Sequence, residues 1–299
     1  MFNRRNTSPL ITGTIILTLT GFASRFIGFF YRIFLSRLFG AEGMGLYQLI
    51  SPVLALSFSL TVAGMQTAIS KYVAGETLTR DYRSSSLHLF AGLVLSMALS
   101  VLCAAGIYCY SDSIAVYFLM EERTAPLLRI IALSIPMATV HSCINGYFYG
   151  IRKTGVPSLC QLSEQIIRVG SVYLIYYLCL KNNMTLTINF AVVGLVIGES
   201  ASMLVSLIAV RAHFENVVPK NYGPLLSVSW PAFSSACTRL LKVAVPLSLN
   251  RVIINFLQSI EAIFIPNRLM SFGYDNSTAL SIYGVLTGMA MPLIIFPGA

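Results

Sequence analysis

Two arginines stand inside the first long hydrophobic stretch of this chain, which offers neither of them an acidic neighbour. At about 100° per residue, Gly21, Arg25, Gly28 and Arg32 fall within roughly 60° of one another on a helix, with Thr14 on the same stripe. Phe22, Phe26, Phe29, Phe30 and Phe34 lie off that stripe. Arg25 is about fifteen residues into the stretch, roughly 22 Å along a helix rising ~1.5 Å per residue, too deep for its head to reach an interface easily. An arginine at that depth costs about 2.5–3.5 kcal/mol on insertion scales, so two on one stripe imply a wet cavity or partners. A guanidinium fork binds phosphate oxygens bidentately and strongly in a low-dielectric cavity, and a diphosphate head group fits that chemistry.

Three further apolar stretches carry polar faces. One aligns Gln161, Glu164, Gln165 and Arg168; a second holds Glu199 next to Gly198; a third aligns Arg251, Asn255 and Gln258, with Glu261 somewhat to the side. Glu164 and Arg168 have the favourable i, i+4 order and read first as a structural pair. His141, beside Ser142 and Asn145, reads as a hydrogen-bonded core residue rather than a proton relay. The six cysteines, at 103, 109, 143, 160, 179 and 237, form no CxxC, and no histidine stands at metal-ligand spacing. With no nucleophile–base pair and no phosphate-cradling glycine loop, neither catalysis, a cofactor nor a metal is expected.

The elements that must hold these residues are membrane helices. Hydrophobic residues make up 56% of the 299, only 10% are charged, and mean hydropathy is +0.76, which excludes a water-soluble globule. Eight apolar stretches can be drawn, at 10–38, 45–70, 87–110, 126–150, 158–180, 188–210, 241–265 and 279–298. A crossing needs about 20 helical residues, and the alternating ten-residue segments of an outer-membrane barrel are missing, so the expected fold is an all-α polytopic bundle.

The first stretch is too long for a cleaved signal peptide. Placing Arg4 and Arg5 inside also puts Lys71, Arg80, Arg83, Arg152, Lys153, Arg211, Lys220, Arg239 and Lys242 there, eleven against only Arg37, Arg123, Lys181 and Arg268 outside. The N-terminus is expected in the cytoplasm of a cell-membrane protein, and eight crossings return the C-terminus there. The net charge of +9 is thus largely topological, and no soluble basic domain is left for nucleic acid.

Residues 211–240, with Pro219, Pro224 and Pro231, read as a cytoplasmic linker between a six-helix lobe at 1–210 and the first two helices of a second lobe at 241–299. A faint repeat agrees: Arg37-Leu38 followed by Gly45-Leu46-Tyr47 is echoed by Arg268-Leu269 followed by Ser281-Ile282-Tyr283. Transporters built from repeated lobes hold cargo between them. Pro52, Pro136, Pro246 and Pro292 are expected to kink their helices. Because the chain stops at Phe296-Pro297-Gly298-Ala299, directly after an apolar stretch, it is expected to be a truncated version of a longer protein.

Three ordered blocks resemble one family. They are Arg25 to Gly28, Arg32, Arg37, Gly40, Glu42-Gly43 and Gly45-Leu46-Tyr47, continuing through Pro52 and Gly64 to Glu76; then Gly146 to Lys153, Pro157, Gln161, Glu164-Gln165 and Arg168-Val169; then Leu241 to Ser248 and Ile265 to Leu269. Together they resemble the stage V sporulation protein B-like polysaccharide transporters, of the multidrug/oligosaccharidyl-lipid/polysaccharide flippase superfamily and related to lipid II flippases. The resemblance implies outward flipping of an undecaprenyl-linked cell-wall precursor in a cavity that opens alternately to each side. It also implies diphosphate contact by first-helix arginines. Arg25 falls at a matching place, Arg32 is shifted by one residue, and Tyr31 occupies the other basic position. Met65-Gln66 replaces the family's apolar-Pro pair, and the family runs to twelve or fourteen helices.

The reading is a non-enzymatic flippase for a lipid-linked anionic glycan, with Arg25, Arg32, Arg168, Arg251, Asn255 and Gln258 around the cargo. Glu164, Glu199 and Glu261 are the candidates for ion or proton coupling. Expected partners are the lipid-linked cargo, membrane lipids and the wall or sporulation machinery. A cation-coupled multidrug exporter and a non-transporting scaffold in spore-envelope assembly are the alternatives.

Overall fold

Lipid offers no partner for a backbone N–H or C=O, so each must find one within its own helix. The computed structural model obeys this: it describes residues 9–79, 81–217 and 229–295, and among the described residues the only regular structure is helical. Arg4, Arg5, Arg80 and Lys220 of the charge count, Pro219 and Pro224 of the linker, and residues 296–299 lie outside the described residues.

The chain runs through α1 (Pro9–Leu49), α2 (Ser51–Phe58), a π-helical turn (Ser59–Ala63) and α3 (Gly64–Thr79). α4 (Tyr82–Cys109) follows, then the single turn α5 (Ser111–Ser113), a second π turn (Ile114–Phe118) and a 3-10 turn (Glu122–Thr124). Next come α6 (Ala125–Ala132), α7 (Ser134–Gly150), α8 (Gly155–Lys181) and α9 (Asn189–Val217). α10 (Trp230–Ser271), α11 (Asn276–Tyr283), a third π turn (Gly284–Ala290) and α12 (Met291–Ile295) end the described chain.

Five helical segments are long and apolar enough to cross a membrane, or six if the bent pair Glu122–Ala132 and Ser134–Gly150 is one crossing. The first, Ile11–Thr79, has 69 residues. Straight, such a helix would measure about 100 Å against a hydrocarbon core of ~30 Å. It breaks at Gly40, whose φ of 69° and ψ of −176° belong to a region essentially closed to residues with a Cβ. The expected spans 10–38 and 45–70 are the two arms of this run. α8 is outside the apolar set, its surface interrupted by Gln161, Glu164, Gln165 and Arg168. The sequence reading of eight treats each arm, the bent pair and α8 as crossings.

Proline explains one bend. Pro136, in the first turn of α7, has no N–H to give the Ala132 carbonyl, and the helix axis turns 44° between α6 and α7. Pro231 lies in the first turn of α10, where the missing N–H costs nothing, so helix begins at 230 rather than at 241.

α8 packs along α9, while α7 lies against α3, α4 and α9, and α1 lies against α8. α10 covers α3, α4 and the first π turn, and α11 with the third π turn closes on α1. Phe22, Phe26, Leu102, Ile208 and Leu293 are exposed, an apolar outer face that acyl chains cover. Since lipid is as apolar as leucine, helices hold together by close packing, which small residues permit. A Cβ on Gly45 would overlap the Leu280 carbonyl, and one on Gly284 would overlap the Ala41 carbonyl. The two helices therefore meet backbone to backbone.

Gly284→Val is expected to force α11 off α1, destabilising the folded chain by about 1–3 kcal/mol, as overpacking does. Thermal unfolding in detergent checks this, with Gly21→Ala, where the added carbon meets nothing within 4 Å and helix propensity favours alanine, as the control that is not destabilised.

Candidate functional site

Two cavities meet along one face of α8. Its residues 161, 164, 165 and 168 follow the helical repeat along one face. One cavity, of about 520 Å³, is lined by Arg25, Tyr31 and Arg32 of α1, Gln161, Gln165 and Arg168 of α8, and Thr287 of the third π turn. The other, of about 590 Å³, is lined by Gln66, His141, Asn145, Glu164, Glu199 and Asn255. Gln161 borders both.

The two cavities have opposite charge. The first is lined by Arg25, Arg32 and Arg168, with no carboxylate among the described residues. Among the described residues, no ion pair within 4.0 Å reaches Arg25 or Arg32. The Tyr31 hydroxyl lines the same cavity, buried and without a hydrogen-bond partner. The second cavity carries Glu164 and Glu199.

Arg168 joins them. Its Nη2 donates to Glu164 Oε1 and lies 3.6 Å from Glu199 Oε1, while Glu199 Oε2 is 2.8 Å from His141 Nε2. Gly198 lets α9 come close enough for this, since a Cβ there would stand 2.9 Å from the Glu164 carbonyl. His141 is therefore tied to a carboxylate on another helix. That partner was invisible in the sequence, where the two residues are far apart.

The remaining expected site residues are dispersed. Asn255 Nδ2 donates to the Ala55 carbonyl at 3.3 Å and to Ser59 Oγ, fastening α10 to the first π turn. Arg251, Gln258 and Glu261 are exposed on α10 and line neither cavity. Sequence reasoning did not assign Tyr31 or Asn145 to a cavity. Tyr31 was within reach, because it adjoins Arg32, but its buried hydroxyl carries no sequence signal.

The model of the family described as "Polysaccharide biosynthesis protein" matches residues 10–298. The chain belongs to that family. It is a multi-pass membrane protein. Within the family's reach, it is 28% identical over 287 residues to the stage V sporulation protein B of Bacillus subtilis, covering 96% of this chain and 55% of that one. It is 24% identical over 236 residues to the lipid II flippase MurJ of the same organism, covering 75% and 43%. This family member thus spans about half the length of the curated relatives it matches. An inward-facing multidrug resistance MATE family transporter has the same fold, with a TM-score of 0.59 at 18% identity over 94% of this chain and 59% of that one.

An ion network seals the junction of α1 with α11. Arg123 Nη1 donates to Glu42 Oε1 at 2.6 Å and its Nε to Glu121 Oε1 at 2.7 Å, while Asn276 Nδ2 donates to Glu121 Oε2 at 2.8 Å. Glu121 is only 6% exposed. Burial pushes its carboxyl up, but the hydrogen bonds from Arg123 and Asn276 outweigh that and hold it below the ordinary carboxylate range. A depressed folded-state pKa contributes stability above the unfolded value of about 4.3 that is lost as pH falls through the folded value. The melting temperature is expected to drop on acidification below about pH 4. Glu121→Gln should cost about 1–3 kcal/mol at pH 7 and flatten that acid limb. Thermal unfolding across pH checks both.

Proposed function

We propose that this chain forms the cargo-binding portion of a flippase that carries an undecaprenyl-diphosphate-linked glycan or peptidoglycan precursor across the cell membrane by alternating access. The observation that carries this reading is the cavity lined by three arginines and by Tyr31, whose buried hydroxyl has no partner, with no carboxylate among the described residues of its wall. Two guanidinium groups without acidic partners at membrane depth are costly unless an anion joins them. A diphosphate offers oxygens for two bidentate forks and a hydroxyl donor at once. A role in wall or spore-cortex assembly is supported by the names of the relatives, a sporulation protein and a lipid II flippase.

In this reading residues 1–210 make the first lobe, 211–240 the cytoplasmic linker and 241–299 the start of the second lobe, with the N-terminus in the cytoplasm. The cargo head lies between α1 and α8, near the third π turn. Glu164 and Glu199 exchange a cation or proton during the cycle, and no step requires catalysis. Arg251, Gln258 and Glu261, exposed on α10, face the part of the path that the rest of a second lobe completes.

The acidic cavity supports a second reading, an exporter of organic cations, because Glu164 and Glu199 line 590 Å³ together with Phe58 and Tyr149. Arg168 counters it by occupying Glu164.

Native mass spectrometry of the purified chain with undecaprenyl diphosphate lipid separates the readings. Wild type is expected to retain this lipid over a neutral lipid of equal length. Arg25→Ala/Arg32→Ala is expected to lose about 10–100-fold in affinity, matching ~1.5–3 kcal/mol for a hydrogen bond to a charged group. Equal retention by both proteins overturns the cargo assignment, and selective retention of a lipophilic cation would favour the exporter.

A further inference from the structure

The carboxylates assigned above to ion coupling belong to a cluster whose chemistry names its ligand more closely. His141 of α7, Glu164 of α8 and Glu199 of α9 each present one ligand atom, and these atoms all lie within 4.8 Å of one another. Ligand atoms around a tetrahedral zinc with ~2.1 Å bonds stand roughly 3.4 Å apart, so drawing in by up to about 1.4 Å would close the ring. The three side chains are 12–17% exposed, on the wall of the 590 Å³ cavity.

A second observation falls on the wall of the same cavity. Asn145, one helical turn beyond His141, lines this cavity at 9% exposure, and its Oδ1 is buried without a hydrogen-bond partner. A buried amide oxygen without a partner is costly, and a cation offers it one. The donor set is then one imidazole nitrogen, two carboxylate oxygens and one amide oxygen. The imidazole selects a borderline first-row ion such as Zn²⁺ or Co²⁺ over Mg²⁺ or Ca²⁺.

The geometry points to a divalent transition-metal site formed by His141, Glu164 and Glu199, with Asn145 as fourth ligand, in which the metal and Arg168 compete for Glu164. With neutral His141, the two carboxylates outnumber the Arg168 guanidinium by one charge. A divalent ion reverses that sign and expels the guanidinium from Glu164. Arg168 already lines the arginine cavity, so expulsion adds a third unpaired guanidinium there. Only this last consequence rests on the proposed cargo; the site itself does not.

Calorimetric titration of the purified full chain with Zn²⁺, and Co²⁺ binding followed by its visible absorption, test the site without cargo. One saturable site per chain is expected, not displaced by millimolar Mg²⁺. His141→Ala and Glu199→Gln are expected to weaken binding at least tenfold, and Arg168→Gln to tighten it by removing the competing cation. Thermal unfolding reports whether each variant folds. If His141→Ala or Glu199→Gln does not, Asn145→Ala, which removes only the unpartnered amide, makes the comparison, with weakened binding expected. Absence of saturable binding, or equal affinity in wild type and the folded ligand variants, overturns the site. Arg25→Ala/Arg32→Ala should bind the metal as wild type does even where diphosphate lipid is lost, so failure of the metal site and failure of the cargo site give different signatures.

Discussion

The placement of Arg168 governs the rest of the site. A guanidinium cannot shed its proton, so in an apolar bundle it must be held by opposite charge or open to water. Glu164 supplies the opposite charge from the same helix and Glu199 from the next. Removing either acid would leave an under-compensated charge in the interior, a far larger penalty than the pair's net worth. The arrangement also fixes α8 against α9, brings Glu199 to His141, and sets an electropositive cavity beside an electronegative one along the polar face of α8.

Much of the scaffold was legible because bilayer thickness and helix rise leave few choices. The apolar stretches coincide with helices, and the multi-pass all-α bundle follows from composition alone. What was not legible depends on local backbone chemistry. The first two stretches form one helical run that bends where Gly40 takes a conformation its neighbours cannot, and no hydropathy window sees that. Pro231 reads as a linker residue until helix α10 is seen to start one residue before it. Pro136 did carry its signal, since loss of one donor early in α7 coincides with the bend.

The site divides along the same line. Arg25 and Arg32 share a face by the 3.6-residue period, and that face does line a cavity with Arg168. The α8 face, Gln161 to Arg168, was readable for the same reason. The union of His141, Glu164 and Glu199 was not, because it joins three helices, and spacing along one helix says nothing about the neighbour across the gap. Arg251 and Gln258 share a helical stripe with Asn255, yet only Asn255 reaches a cavity, so a common stripe did not ensure a common environment.

The backbone contact of Gly45 with the Leu280 carbonyl, and of Gly284 with the Ala41 carbonyl, has a mechanical meaning. Where backbones touch, no side chain can swing aside to make room, so the spacing of α1 and α11 is set by the polypeptide itself. Gln48 reaches the Thr287 carbonyl across the same seam, and the Arg123 network ties its end, so α1 and α11 are built to move as one piece.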